Sequence, residues 1–350
     1  MNYKIHLPAE WEQQSAIMLT WPHSTGDWAS NLQAAYKTFA EIGSAISQDQ
    51  TVLCVCQNQP HGSVVAEYLS QANAKQPHLQ FAIAPSNDSW ARDHGPISTI
   101  NEQGVQLQNF SFDGWGSKYA APLDNQINQC LRQQQIFGDT PMPTQNWVLE
   151  GGAIETDGQG TLLATRSSVL DKQRNPLLSV SDIEEKLQQQ LGIQRFLWLD
   201  HGAISGDDTD AHIDTLARFT NPQTIVYSTA PANDADHAAL QAMQQQLRTF
   251  RTLDNRPYQL IPLPFPGVHR NISGRRLPAS YANFLITNTA VLLPIYQVAE
   301  DAEAIAILTH CFPGRQIIPI DCHTLLEQNG SLHCATLPFP AGVTIHGLTL

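Results

Sequence analysis

The sequence predicts an α/β protein, and three observations carry that prediction. Short apolar runs rich in β-branched residues recur along the chain, at residues 51–56, 81–84, 161–164, 224–228, 259–262, 290–294 and 316–320. Segments with a helical pattern, at 31–46, 180–191, 234–250 and 299–311, fall between several of them. No Gly/Ser linker, charge block or low-complexity tract interrupts this alternation, so residues 1–350 read as one domain.

Strand-length runs separated by helices of about 12–17 residues are the mark of α/β units. The helix at 31–46 leads into the strand Thr-Val-Leu-Cys-Val-Cys at 51–56. The run at 81–84 leads into a loop dense in charge and aromatic rings, Asp88 to Pro96. Trp147-Val148-Leu149 leads into Glu150-Gly151-Gly152, and Glu155 to Gly160 has the composition of a hairpin that adds an antiparallel piece. The pairs 180–191, 234–250 and 299–311 then each precede a further strand. A unit of strands plus one helix recurs about every 60–80 residues. Strand ends that face a common point are where α/β folds build their sites.

Composition narrows the function. The chain has 350 residues, 42% hydrophobic and 15% charged, which suits a protein with a sizeable core. Its net charge of −13, from 19 basic and 32 acidic residues, excludes nucleic acid as a partner and favours small cations. Cysteines stand at 54, 56, 130, 311, 322 and 334, with no C-x-x-C pair to suggest a zinc ribbon or redox centre. The N-terminal residues lack an apolar signal region, and no stretch approaches the roughly 20 apolar residues of a membrane helix. A cytoplasmic protein with no membrane partner is expected.

Four segments carry chemistry. Cys334 follows Asn329-Gly330-Ser331-Leu332-His333, where Gly330 allows a tight turn; a thiolate there is a nucleophile if a neighbour lowers its pKa. His333 points to the opposite face if this segment is extended. His212-Ile213-Asp214 puts an imidazole and a carboxylate on one face if 211–219 is extended, as proton shuttle and cation anchor. Asp207, Asp208 and Asp210 beside them leave a metal site and a solvated acidic loop open as alternatives. In Trp90-Ala91-Arg92-Asp93, Trp90 can cover a cation and Asp93 can grip a planar guanidinium through paired hydrogen bonds. Glu150 before Gly151-Gly152 is a carboxylate where backbone can approach closely.

Together these segments resemble a family. Trp90-x-Arg92-Asp93-x-Gly95-Pro96, Glu150-Gly151-Gly152, His212-x-Asp214 and Leu332-His333-Cys334 stand in the order found in guanidino-group-modifying enzymes. The chain resembles the agmatine deiminase and bacterial-type peptidylarginine deiminase family from about residue 7 to residue 340, Trp115-Gly116-Ser117-Lys118-Tyr119, Arg174-Asn175-Pro176 and Ser280-Tyr281-Ala282-Asn283-Phe284 included.

The resemblance implies the pentein fold, a five-bladed α/β propeller with its site in the central channel. It implies a hydrolase that deiminates a small cationic guanidino substrate, agmatine to N-carbamoylputrescine and ammonia, in polyamine metabolism. A peptidylarginine or free-arginine deiminase on the same scaffold is the alternative within the family. Cys334 is then the nucleophile, His212 the general acid and base, and Asp93 and Asp214 the guanidinium anchors. Glu150, Trp90 and Arg92 are assigned to substrate: Glu150 against the guanidinium or the tail amine, Trp90 as a channel wall. Arg92 would meet a substrate carboxylate or support Asp93. No metal or organic cofactor is implied, and a homodimer is the assembly to test. The residues after Cys334, Ala-Thr-Leu-Pro-Phe-Pro, replace the Ile-Thr and glutamines usual in agmatine deiminases, which leaves the substrate's tail unassigned.

Overall fold

One pattern of strand pairing recurs in five sheets. An antiparallel pair is followed by a helical crossover to a strand that joins in parallel, as parallel pairing requires. Ile97–Asn101 and Gly104–Ser111 pair antiparallel, helix Asp124–Gln133 crosses over, and Thr144–Val148 adds in parallel. Glu155–Thr156, Thr161–Thr165, helix Val180–Leu191 and Arg195–Leu199 repeat the order. So do Ala217–Asn221, Thr224–Ser228, helix His237–Thr249 and Gln259–Leu263. Leu285–Ile286, Ala290–Ile295, helix Asp301–Cys311 and Gln316–Asp321 repeat it again.

The fifth sheet joins the two ends of the chain. Thr336–Pro340 pairs antiparallel with Gln14–Thr20, which pairs in parallel with Thr51–Cys56 after helix Leu32–Ser47. Leu79–Ile83 extends this sheet after helix Gln59–Gln71. The five sheets are the blades of an α/β propeller, as the resemblance implied. This computed structural model describes residues 5–348; the ends of the predicted 1–350 domain, residues 1–4 and 349–350, lie outside the described residues.

Local sequence explains the elements that were legible. Thr161–Thr165 and Thr224–Ser228 are buried along their whole length, so they read as continuous apolar runs rather than alternating ones. Val180–Leu191 starts at a capping box, in which Ser179 Oγ accepts from Asp182 N and the Asp182 carboxylate accepts from Ser179 N at 2.7 Å. Its apolar face, Ile183, Leu187 and Leu191, is buried in one cluster with Leu162, Ala164 and Trp198 of its own blade and Phe110 and Trp147 of the blade before it.

One local expectation is overturned. Residues 211–219 are not extended throughout: Ile213–Thr215 forms a 3₁₀ turn, and the strand begins only at Ala217.

The blades place the site. Asp93 lies in the turn before Ile97–Asn101, Gly152 before Glu155–Thr156, Asp214 before Ala217–Asn221, Asn283 before Leu285–Ile286, and Cys334 before Thr336–Pro340. Each blade thus delivers one group from the turn that precedes its first strand.

Candidate active site

Cys334 is buried and faces a cavity of about 390 Å³ whose lining includes Trp90, Asp93, Trp115, Asp208 and Gly330. Gly330 does not serve a left-handed turn; the residue with positive φ here is Asn329, at 66°. A Cβ on Gly330 would lie 2.3 Å from two carbons of the Trp90 ring, so its glycine lets the turn close over that indole. Trp90 itself is braced by Trp28, with ring centroids 5.8 Å apart.

Three of the predicted groups converge around Gly152. Asp93 Oδ1 accepts from Gly152 N at 2.9 Å, and Asp93 Oδ2 accepts from Trp115 Nε1 at 3.0 Å. His212 Nδ1 is 3.6 Å from Asp93 Oδ1. A Cβ on Gly152 would sit 2.7 Å from His212 Nδ1, 2.8 Å from Asp93 Oδ1 and 3.1 Å from Asp214 Oδ2. The 3₁₀ turn, rather than strand alternation, brings His212 and Asp214 to this point. Asp214 Oδ2 meets His333 Nδ1 at 2.8 Å and lies 3.8 Å from Cys334 Sγ. Its Oδ1 is buried and has no hydrogen-bond partner in the protein.

Two predicted substrate contacts lie elsewhere. Glu150, like His212 and Asp214, is not among the residues that line the cavity, and both its oxygens accept from Arg174 Nε, at 2.8 and 2.9 Å, with Oε2 3.2 Å from His212 Nε2. Its carboxylate is spent on orienting the imidazole, because a buried guanidinium on one side and a histidine on the other leave it no free edge. Arg92 is behind the site, 2.9 Å from Glu10 Oε2, with Nε donating to His333 O at 3.4 Å. It lines a second cavity of about 720 Å³ on the far side of His333. That cavity is larger, but Cys334 and Asp93 open into the smaller one.

The acidic loop is not a metal cage. Asp207 accepts from Thr209 and Ala211 within its own turn, Asp208 from Tyr119 Oη and Asn329 Nδ2, and Asp210 from Arg174 and Lys118. The carboxylates therefore point to different partners, and among the described residues no three His, Cys, Asp or Glu side chains are grouped to hold a metal ion.

Burial and charge set the protonation states. Burial alone would make His212 neutral, but Asp93 and then Glu150 outweigh it and lift its pKa to about 9. Burial, then Asp214 and Asp93, push the Cys334 thiol well above its ordinary value. Asp93 is raised, mainly by burial and against the pull of His212. Asp214 is held down: burial opposes this, but the hydrogen bond and charge of His333 prevail. The resting site is thus an imidazolium and a thiol among carboxylates, short of one cation.

Sequence reasoning missed four lining or contact groups. Asp88 and Asp208 line the cavity, and burial raises both, Asp88 to about 6. Trp115 and Asn283 contact Asp93 and Cys334. Trp115 and Asn283 stood inside motifs that were visible, whereas Asp208 was one of several acids with nothing to single it out.

Comparison with known proteins identifies the family. Residues 6–340 match the family described as Porphyromonas-type peptidyl-arginine deiminase. A Vibrio parahaemolyticus protein named "putative agmatine deiminase" is 33% identical over 96% of this chain and 97% of its own. A "putative arginine deiminase" from Porphyromonas gingivalis is 42% identical with a TM-score of 0.91, over 97% of this chain and 100% of that one. A cysteine-to-serine variant of C. jejuni agmatine deiminase, solved with substrate bound, is 31% identical with a TM-score of 0.89, over 97% and 98% of the two chains.

Proposed function

We propose the reaction from one premise: the chain belongs to the Porphyromonas-type peptidyl-arginine deiminase family. It is a hydrolase that acts on the C–N bond of a guanidino group, and its substrate is agmatine, which it converts to N-carbamoylputrescine and ammonia. The observation that carries the choice of substrate is the lining of the cavity. Asp27, Asp88, Asp93 and Asp208 face it, and among the described lining residues there is no arginine or lysine. A tail ammonium meets acid there; an α-carboxylate would meet only repulsion.

The geometry supports the following course. The guanidinium lies between Asp93 and the free Oδ1 of Asp214, which fixes its plane. Its charge offsets the two carboxylates that disfavour a thiolate, so Cys334 loses its proton when substrate is bound. Sγ attacks the guanidino carbon, and the C=N π pair moves onto nitrogen. His212 is protonated at neutral pH, and it gives that proton to the leaving nitrogen as the C–N bond breaks. The bound cation assists, because it takes up the carboxylate charge that held the proton on the ring. Ammonia departs and a thiouronium remains on sulfur. Neutral His212 then takes a proton from water as hydroxide adds to the same carbon; the C–S bond breaks, the hydroxyl proton passes to sulfur, and the ureido product leaves a thiol and an imidazolium as at the start.

Six cysteines without a disulfide fit a reducing compartment, so the cytoplasm is the proposed location. No helix among the described residues is long and apolar enough to cross a membrane.

The test is a panel of agmatine, arginine and a peptidyl-arginine, scored for ureido product and ammonia with the parent protein and with Cys334→Ser. Agmatine should give the highest kcat/KM, and the variant should lose roughly 10⁴-fold or more in kcat. Ammonia release that survives in Cys334→Ser would remove the nucleophile, and preference for peptidyl-arginine would remove agmatine.

A further inference from the structure

Four blades have supplied a group to the reaction centre; the equivalent turn of the remaining blade carries Asn283, fully buried. Asn283 Oδ1 accepts from His333 N at 2.9 Å and from Cys334 N at 3.3 Å. The two ends of an amide are alike in outline, but two backbone donors can be met only by its oxygen. That fixes the other end. Nδ2 is 3.3 Å from Cys334 Sγ and 3.4 Å from Asp214 O.

We propose that Asn283 is a catalytic residue, whose Nδ2–H donates to the Cys334 thiolate and aims it at the guanidino carbon. The proposal rests on Cys334 being the nucleophile.

The chemistry of the substrate explains why an amide stands here. A reactive cysteine is ordinarily charged by a cation at its side. In this site a fixed cation next to the sulfur would repel the guanidinium that must approach within bonding distance. A neutral N–H stabilises the thiolate without that repulsion. The surroundings otherwise work against the anion: burial, Asp214 at 3.8 Å from sulfur, and Asp93 all favour the thiol. Asn283 serves that form as well, since Oδ1 lies 3.4 Å from Sγ and can accept from S–H. One amide edge therefore meets the sulfur in either state, while its oxygen holds the turn.

Asn283→Asp separates the two jobs. The variant keeps an oxygen for the backbone N–H groups of His333 and Cys334 but puts a second oxygen where the donor was. Alkylation of Cys334 by iodoacetamide is followed by mass against pH in the substrate-free protein, alongside kcat, KM and Tm. The expected result is alkylation at pH 9 slowed at least roughly tenfold. With it goes a kcat about 10²-fold lower, and a Tm below the parent's, because the new carboxylate is fully buried. Loss of kcat with an unchanged alkylation profile would assign Asn283 to the turn alone and overturn the proposal, as would an unchanged kcat. If Asn283→Asp does not fold, Asn283→Ser, too short to reach the sulfur, must show the same retarded alkylation. Alkylation needs no turnover, so this result is independent of whether Cys334→Ser bears out the nucleophile.

Discussion

Two buried carboxylate clusters lie back to back across His333 and Cys334, and they differ in what neutralises them. In the rear cluster Glu10 meets Arg92 at 2.9 Å, Arg218 at 3.2 Å and His333 Nε2 at 2.8 Å, and accepts from Ile286 N. Glu155 beside it is 2.7 Å from Arg218 Nε. In the front cluster the carboxylates of Asp93, Asp88 and Asp208 accept from neutral N–H and O–H donors; the cations near them are His212, 3.6 Å from Asp93, and Lys118, which donates to the backbone oxygen of Asp208. Burial acts on both clusters; Glu155 is raised by it against the pull of Arg218, and the contrast lies between Glu10 and the front carboxylates. Glu10 ends well below the ordinary carboxylate range despite burial, because His333, Arg92 and Arg218 prevail. Asp88, Asp93 and Asp208 end above it, because burial prevails. An uncompensated buried carboxylate is costly to the folded protein. Three such groups, the buried Asp93 and the half-buried Asp88 and Asp208, stand around one cavity and leave it acidic.

The largest test of that contrast is Asp93→Asn. It removes a front carboxylate that has no arginine, so kcat/KM for agmatine should fall roughly 10³-fold. Stability should fall less than at the rear, because the buried charge that goes offsets the one hydrogen bond, from Gly152 N or Trp115 Nε1, that the amide NH2 cannot accept. Thermal unfolding beside steady-state kinetics reads both. A drop in Tm as large as that of a rear-cluster variant would erase the distinction between the two clusters.

Arg92→Met is the matching change at the rear. It leaves Glu10 with Arg218 and His333 but without its 2.9 Å partner, which should cost about 3 kcal/mol, the low end for breaking a buried pair. Urea unfolding measures it. KM for agmatine should stay near the parent value, since Arg92 lines the other cavity. A KM that rises with stability intact would return Arg92 to the substrate site.

The same contrast explains what was legible in the sequence. Blade strands such as Thr51–Cys56 and Thr224–Ser228 are apolar along their length, so composition alone marked them. Gln14–Thr20 and the closing strand Thr336–Pro340 were not recognised: the first begins with two polar residues and the second holds two prolines, a poor strand signal. Cys334, His212, Asp93 and Asp214 were singled out because the family motifs name them together, and the fold brings them close to one another. Glu150 and Arg92 were found as residues but misplaced, since a motif records that a charge is present and not which ion it faces. Arg174 takes Glu150, and Glu10, far away in sequence, takes Arg92. Asn283 was passed over because an amide in a Tyr-x-Asn-Phe segment looks inert until the sulfur is seen beside it.

The smallest effect is a displacement along the pH axis. His212 has a folded-state pKa near 9, above its ordinary value, because Asp93 and Glu150 outweigh burial. A raised pKa means that the native protein holds this proton more tightly than the unfolded chain does. Its contribution to stability is therefore complete below about pH 6.5 and fades as pH rises through about 9. The rate should follow the same group, since only the imidazolium can protonate the leaving nitrogen, and kcat should decline on the alkaline side near that value. Glu150→Gln keeps the shape of the side chain but removes its charge 3.2 Å from the ring. The alkaline limb should then move down by about one pH unit. It should do so without the large rise in KM expected of a residue that grips substrate. A limb that stays near 9 while KM climbs would put Glu150 back in contact with the guanidinium and make the front cluster one carboxylate larger.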